Sequence, residues 1–374
     1  MPLIYGILTL LTYDYKELCF RSLDLIVEFA EKLFGLTYAD IHRLPLMLDL
    51  IKLQENEKIE LFKVQILRYS YNTILTHSSK CNEFFDYCRN LKIKIFPVVP
   101  TFFCSFLLNY GRSGKTIGQI NSLINSLNFV CKLFGTKSVS DSNYFRNTIH
   151  FLRKVCKRKT FEREGISLEM IEKLCRQVDK YGLRSSVAKR TYIMIIICFH
   201  TLMRFDCIKN VILSCIKFFE NYVEITIPRS KTDQESYGQK AYLISNGRKF
   251  DPYFILCQYL YEFENIFGTA DEYLLPKFKY DSNIKKWMID SQKMLTYTAA
   301  YRPFKKLLSE CGIDSKKLSL HSMRIGGTTE DFARNVPDFI IDQRGRWKDS
   351  KTKKTYCKNK TKHLVDTIRS CYRN

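Results

Sequence analysis

Along most of this chain apolar residues recur every three to four positions, the spacing of amphipathic helices rather than the alternation of strands. "VQILRYSYNTILTHSSKCNEFFDYCRNLKI" keeps that period over a long stretch, and "TFFCSFLLNYGRSG" keeps it into a glycine-containing end. In "KTIGQINSLINSLNFVCKLFG", Ile117, Ile120, Leu123, Ile124 and Leu127 share one face. "NYFRNTIHFLRKVCKRKT" repeats the pattern and runs out into basic residues. Residues 61–155 are therefore expected to form an all-helical domain whose Leu and aromatic stripes are its core. Before it, "YKELCFRSLDLIVEFAEKLFG" predicts helix within residues 1–60, closed by Gly35.

"KVCKRKTFEREGIS" breaks the period with dense charge, so residues 156–166 read as a linker, one that can also track a phosphate backbone. A helix over "SLEMIEKLCRQVDKYG" follows, with Ser167 as N-cap and Glu169 in its first turn. "KRTYIMIIICFHTLMR" is apolar nearly all round and predicts a buried central helix ending at Arg204. Then the period changes to two. "YVEITIP" and "QKAYLIS" alternate on either side of the turn-like "RSKTDQESYG", which is a β-hairpin with Lys231 in its turn. Further helices are expected at roughly 251–266, 295–311, 321–334 and 337–344. The fold class is thus mainly α with a small antiparallel sheet (α+β): a helical domain, then a mixed α/β domain over 167–374.

Length and charge narrow the function. At 374 residues the chain exceeds one ordinary core, and 45% hydrophobic residues suffice to pack more than one. The formal charge is +22, but residues 1–60 hold six Lys or Arg against ten Asp or Glu, so that −4 there leaves +26 on the remainder. So basic a body fits a polyanion, most simply nucleic acid. The 14 cysteines include no CxxC pair, and Cys198 and Cys257 sit in apolar runs. That argues against a zinc site or disulfide framework and for buried thiols in a reducing compartment. The expected location is intracellular, the nucleus in a eukaryote and otherwise the cytoplasm. No apolar run reaches the roughly 18–20 residues that span a bilayer, and the N-terminus lacks the basic region of a signal peptide.

Metal-free attack on a phosphodiester sets a demanding list. Guanidinium groups must hold the nonbridging oxygens, because they bind two at once and keep their charge. A nucleophile must form a covalent phosphoryl link, and a Lys or His must protonate the departing oxygen. The chain supplies such a set in order: Arg204, Lys231, His321 and Arg324 of "HSMR", Trp347 of "GRW", and Tyr356 of "KTY". Singly, each has an ordinary explanation. Arg204 would complement a helix C-terminus, Lys231 would be a solvated turn lysine, and His321 a capping or core histidine. Arg324 would pair with Glu330 or Asp331, Trp347 would pack, and Tyr356 would be one of 23 tyrosines.

Taken in order, the six resemble the tyrosine recombinases, or phage-type integrases, a family that includes enzymes of mobile elements. The spacings of 23 residues from Arg324 to Trp347 and 9 from Trp347 to Tyr356 are common there. Residues 167–374 resemble the family's catalytic domain and 61–155 its core-binding domain, the two clamping duplex DNA; residues 1–60 match nothing in it. The resemblance implies a site-specific recombinase or integrase. Tyr356 would form a 3′-phosphotyrosine, Arg204 and Arg324 would hold the phosphate, Lys231 would protonate the leaving oxygen, and His321 and Trp347 would assist. It implies no metal or nucleotide cofactor. It also implies a homotetramer on DNA, joined by exchange of a C-terminal helix over "HLVDTIRSCYR".

One position departs from the family. The acid usual three residues after the first Arg is Cys207 here, and Asp206 lies two after it. Either Asp206 substitutes, or that support is missing. Two alternatives therefore stand beside the recombinase: a DNA-binding derivative without catalysis, and a type IB topoisomerase. The spacings and the helical domain favour recombinase over topoisomerase.

Overall fold

The computed structural model describes residues 69, 71–157, 163–181, 186–228, 238–248, 250–263, 269–283, 286–290 and 293–347. Lys231, Tyr356, residues 1–60 and the C-terminal segment 363–374 lie outside the described residues. The chain divides into two compact units, Met1–Thr160 and Phe161–Asn374.

Among the described residues the first unit holds four α-helices: α1 (Tyr71–Asn90), α2 (Pro100–Arg112), α3 (Ile117–Leu133) and α4 (Asn143–Val155). Thr116 and Gln119 close a capping box at the start of α3, which satisfies two backbone donors that the first turn leaves open. On α3 the predicted face points inward: Ile120, Leu123, Ile124 and Leu127 are buried, and Ile117 packs partly against them. Phenylalanines fill the centre, with Phe84 edge-on to Phe103 at 4.9 Å.

The second unit is built around α6 (Ser186–His200), whose residues Arg190 to Phe199 are all buried. Around it lie α5 (Leu168–Tyr181), α7 (Phe205–Ile208), α8 (Pro252–Phe263), α9 (Tyr297–Glu310), α10 (Ser322–Ala333) and α11 (Asp338–Gly345). Ser167 caps α5, its hydroxyl accepting from the Met170 amide at 3.2 Å. The predicted hairpin is β2 (Tyr222–Ile227) with β3 (Gln239–Ile244), in register from Tyr222↔Ile244 to Ile227↔Gln239. Two features were not anticipated. A short β1 (Ile216–Phe218) extends this sheet, and β4 (Lys277–Asp281) pairs with β5 (Lys286–Asp290) as a separate hairpin.

One boundary is corrected. The apolar period runs on to Arg204, but α6 stops at His200 and Leu202 takes a positive φ of 53°. The chain turns there because tertiary contacts use the helix end. Helix α10 crosses α6 closely enough that a Cβ on Gly327 would lie 2.1 Å from the Phe199 carbonyl oxygen. On its other side a Cβ on Gly326 would lie 1.9 Å from the Ile166 carbonyl oxygen. The glycine pair in "HSMRIGG" is thus required by backbone approach on both sides of α10. Residues 163–166 lie against the start of α10, the Glu164 amide donating to Lys317 O and the Ile166 amide to Ser322 O. No helix among the described residues is long and apolar enough to cross a membrane.

Candidate active site

The end of α6 organises the site. A helix leaves its last carbonyls without helical partners, and they carry partial negative charge. Here three successive carbonyls each receive one guanidinium. Arg344 donates to His200 O at 2.6 Å, Arg346 to Thr201 O at 3.2 Å, and Arg324 to Leu202 O. The donors come from α10 and from the end of α11, so three chain segments meet at one helix terminus.

Arg324 is the most enclosed of them, at 1% exposure. Besides Leu202 O it donates to Gly345 O at 2.7 Å, and its guanidinium lies 4.2 Å from the centre of the Trp347 ring. The Trp347 ring fits because residue 345 is glycine: a Cβ there would sit 1.8 Å from the ring. Arg324 therefore does not pair with Glu330 or Asp331. Those acids bind Arg334 and Arg344 instead.

Arg204 stands at the N-cap of the short α7, with φ −84° and ψ 154°. A cation gains nothing from a helix dipole at that end, so the ordinary explanation of Arg204 fails. The side chain is half-buried, and among the described residues its guanidinium has no hydrogen bond or ion pair. His321 sits at the N-cap position of α10 but makes no side-chain cap. Its pKa is pushed down to about 4, first by burial and then by Arg324, Arg163 and Arg204. His321 is accordingly neutral at pH 7, with all three arginines near enough to act on its charge.

The structure thus brings together Arg204, His321, Arg324 and Trp347. It also resolves the question at the acid position. Asp206 points outward, its side chain 79% exposed and paired with Lys209 at 2.7 Å, so it does not substitute. Cys207 is buried and supplies no carboxylate. Support for the cations comes instead from the carbonyls of residues 200–202, and from Asp331, which pairs with Arg344.

Sequence reasoning missed Arg163, Arg344 and Arg346. Arg163 is exposed in a segment read as linker. "RGRW" did carry a signal, two arginines flanking a glycine just before Trp347, but nothing in the spacing says which carbonyls they reach.

Solved structures share this architecture. One is a XerH site-specific recombinase bound to palindromic difH substrate in a post-cleavage complex. It is 14% identical over 93% of this chain and 95% of that one, with a TM-score of 0.58. The Tn1549 transposon integrase in complex with transposon right end DNA is 13% identical over 84% and 99%, with a TM-score of 0.56. A lambda integrase dimer bound to a COC′ core site is 13% identical over 80% and 75%, with a TM-score of 0.53. No protein-family model matches the sequence, and no curated protein matches it.

Proposed function

We propose that this chain, whose fold is that of the tyrosine recombinases, cleaves and rejoins duplex DNA through a covalent 3′-phosphotyrosine at Tyr356. The observation that carries the reading is Arg204: a half-buried guanidinium beside His321 that has no partner among the described residues, backed by arginines docked on the end of α6. Holding a cation without a counter-charge is unfavourable unless an anion occupies the site, and a phosphodiester has the right charge and two oxygens to share.

In the proposed step the Tyr356 phenol oxygen forms a bond to phosphorus. The bond to the 5′ oxygen breaks, and that oxygen takes a proton from Lys231. Neutral His321 helps to move the phenol proton. Arg204 meets the nonbridging oxygens directly. Arg324 is the second guanidinium for those oxygens, and the Trp347 indole N–H donates to one of them. A 5′-hydroxyl from another strand then attacks the phosphotyrosine and restores the phenol. The charge is met by guanidinium groups and the bond energy is kept in the phosphotyrosine, so the step calls for no metal or nucleotide. The neighbours bound to a recombination substrate and to a transposon end support duplex DNA as partner and a role in integration.

A nicked suicide duplex tests this. The protein should form a covalent adduct in the presence of a chelator, and Tyr356→Phe should form none. The missing acid at Cys207 favours a second reading, a DNA-binding derivative without catalysis. It predicts salt-sensitive duplex binding with no adduct on any substrate.

A further inference from the structure

We propose that Arg346 is a second phosphate-binding residue, acting beside Arg204 on the same phosphodiester oxyanion. The inference rests on reading the site as a phosphate site, and its starting point is backbone geometry. Arg346 has φ 54°, in the left-handed region that a glycine occupies without strain and an arginine does not. It lies between Gly345 and Trp347, so that strain is spent at the centre of the site.

Its side chain is unfavourably placed as well. Of the three guanidinium groups on the α6 carbonyls, the other two have compensation. Arg344 has the Asp331 carboxylate, and Arg324 has a second carbonyl and the Trp347 ring. Among the described residues Arg346 has one hydrogen bond, to Thr201 O, long at 3.2 Å. The charged side chains acting on it include Arg204 and Arg344, with the thiols of Cys198 and Cys207 alongside. Burial, with those arginines adding to it, pushes its pKa down to about 10, so it remains a cation at neutral pH. Strain, desolvation and like-charge repulsion all oppose this arrangement. A helix-end carbonyl alone offsets little of that, whereas an oxyanion shared between Arg204 and Arg346 removes the repulsion and uses the donors left over.

The test uses inorganic sulfate as probe, with the full chain and the variants Arg346→Asn and Arg204→Asn. Asparagine tolerates positive φ, so the first variant removes the guanidinium without adding strain. In the wild type, sulfate should raise Tm. That sulfate-dependent shift, taken from each protein's own baseline, should fall by more than half in Arg346→Asn and should not fall further in the double variant. The slope of log Kd against log salt for duplex DNA should drop by about one. A wild-type shift retained in Arg346→Asn, with an unchanged salt slope, would make Arg346 only a cap for the helix and overturn the proposal. A wild type that ignores sulfate overturns it too, together with the phosphate reading. A shift lost in Arg346→Asn but no adduct at Tyr356 upholds Arg346 and sinks strand cleavage alone.

Discussion

Gly327→Ala tests the packing that holds the site together. The added Cβ would sit 2.1 Å from the Phe199 carbonyl oxygen and 2.7 Å from Leu202 Cδ2. The leucine can swing away; the carbonyl is backbone in a buried helix and cannot. Ordinary contact begins near 3.4 Å, so α10 and α6 must part by about 1.3 Å (3.4 less 2.1). Overpacking of this kind costs about 1–3 kcal/mol. The opening also pulls Arg324 from Leu202 O, a buried charged hydrogen bond worth about 1.5–3 kcal/mol. Better helix propensity returns about 1 kcal/mol. The net loss is about 1.5–5 kcal/mol. Urea denaturation followed by tryptophan fluorescence reads it, because both tryptophans, Trp287 and Trp347, belong to the second unit. The midpoint should fall by about 1–2 M at unchanged slope. As a control, a Cβ on exposed Gly118 meets nothing nearer than 3.9 Å. Gly118→Ala should hold or raise stability, by about 0.5 kcal/mol, when followed by circular dichroism. A Gly327→Ala unfolding free energy within about 0.5 kcal/mol of wild type would refute the reasoning.

Three further outcomes are expected. His321 and His200 both have pKa values lowered to about 4, chiefly by burial and then by nearby arginines. The unfolded chain binds those protons more readily, so stability is full above pH 6.5 and is lost as pH falls towards 4. At pH 5 the loss from His321 should be about 1–2 kcal/mol, and His321→Asn should flatten the fluorescence-detected pH profile. Asp331→Asn leaves Arg344 without its carboxylate; with Arg344 about a third exposed, the unfolding free energy in urea should drop by about 1–3 kcal/mol, and no change would mean the carbonyl of His200 holds Arg344 alone. Deleting residues 363–374 should leave single-protomer DNA binding intact while abolishing the proposed tetramer in native gels; undiminished assembly would show that the C-terminal segment does not exchange.

Much of the fold was legible because its signals are local. The period of α3, the Ser167 cap on α5 and the change of period at β2 and β3 each depend on neighbours within a few residues, and all appear as read. The strands β1, β4 and β5 escaped notice because they are three to five residues long, too short for alternation to stand out. The end of α6 was misread for a different reason. "FHTLMR" contains no glycine or proline to stop a helix, and the stop comes from residues far along the chain.

The candidate site divides the same way. The sequence determined which residue types were available and in what order: Arg204, the HxxR pair, Trp347 and Tyr356 are spaced as in a family, and spacing survives in one dimension. Only the tertiary structure decided how the cations are held. Three guanidinium groups from two distant segments settle on the carbonyls of residues 200, 201 and 202, which can accept them because the helix has ended. A carbonyl is present at every residue and leaves no mark in a sequence. The support at this site is therefore invisible until the fold shows which carbonyls are without partners and which arginines arrive beside them.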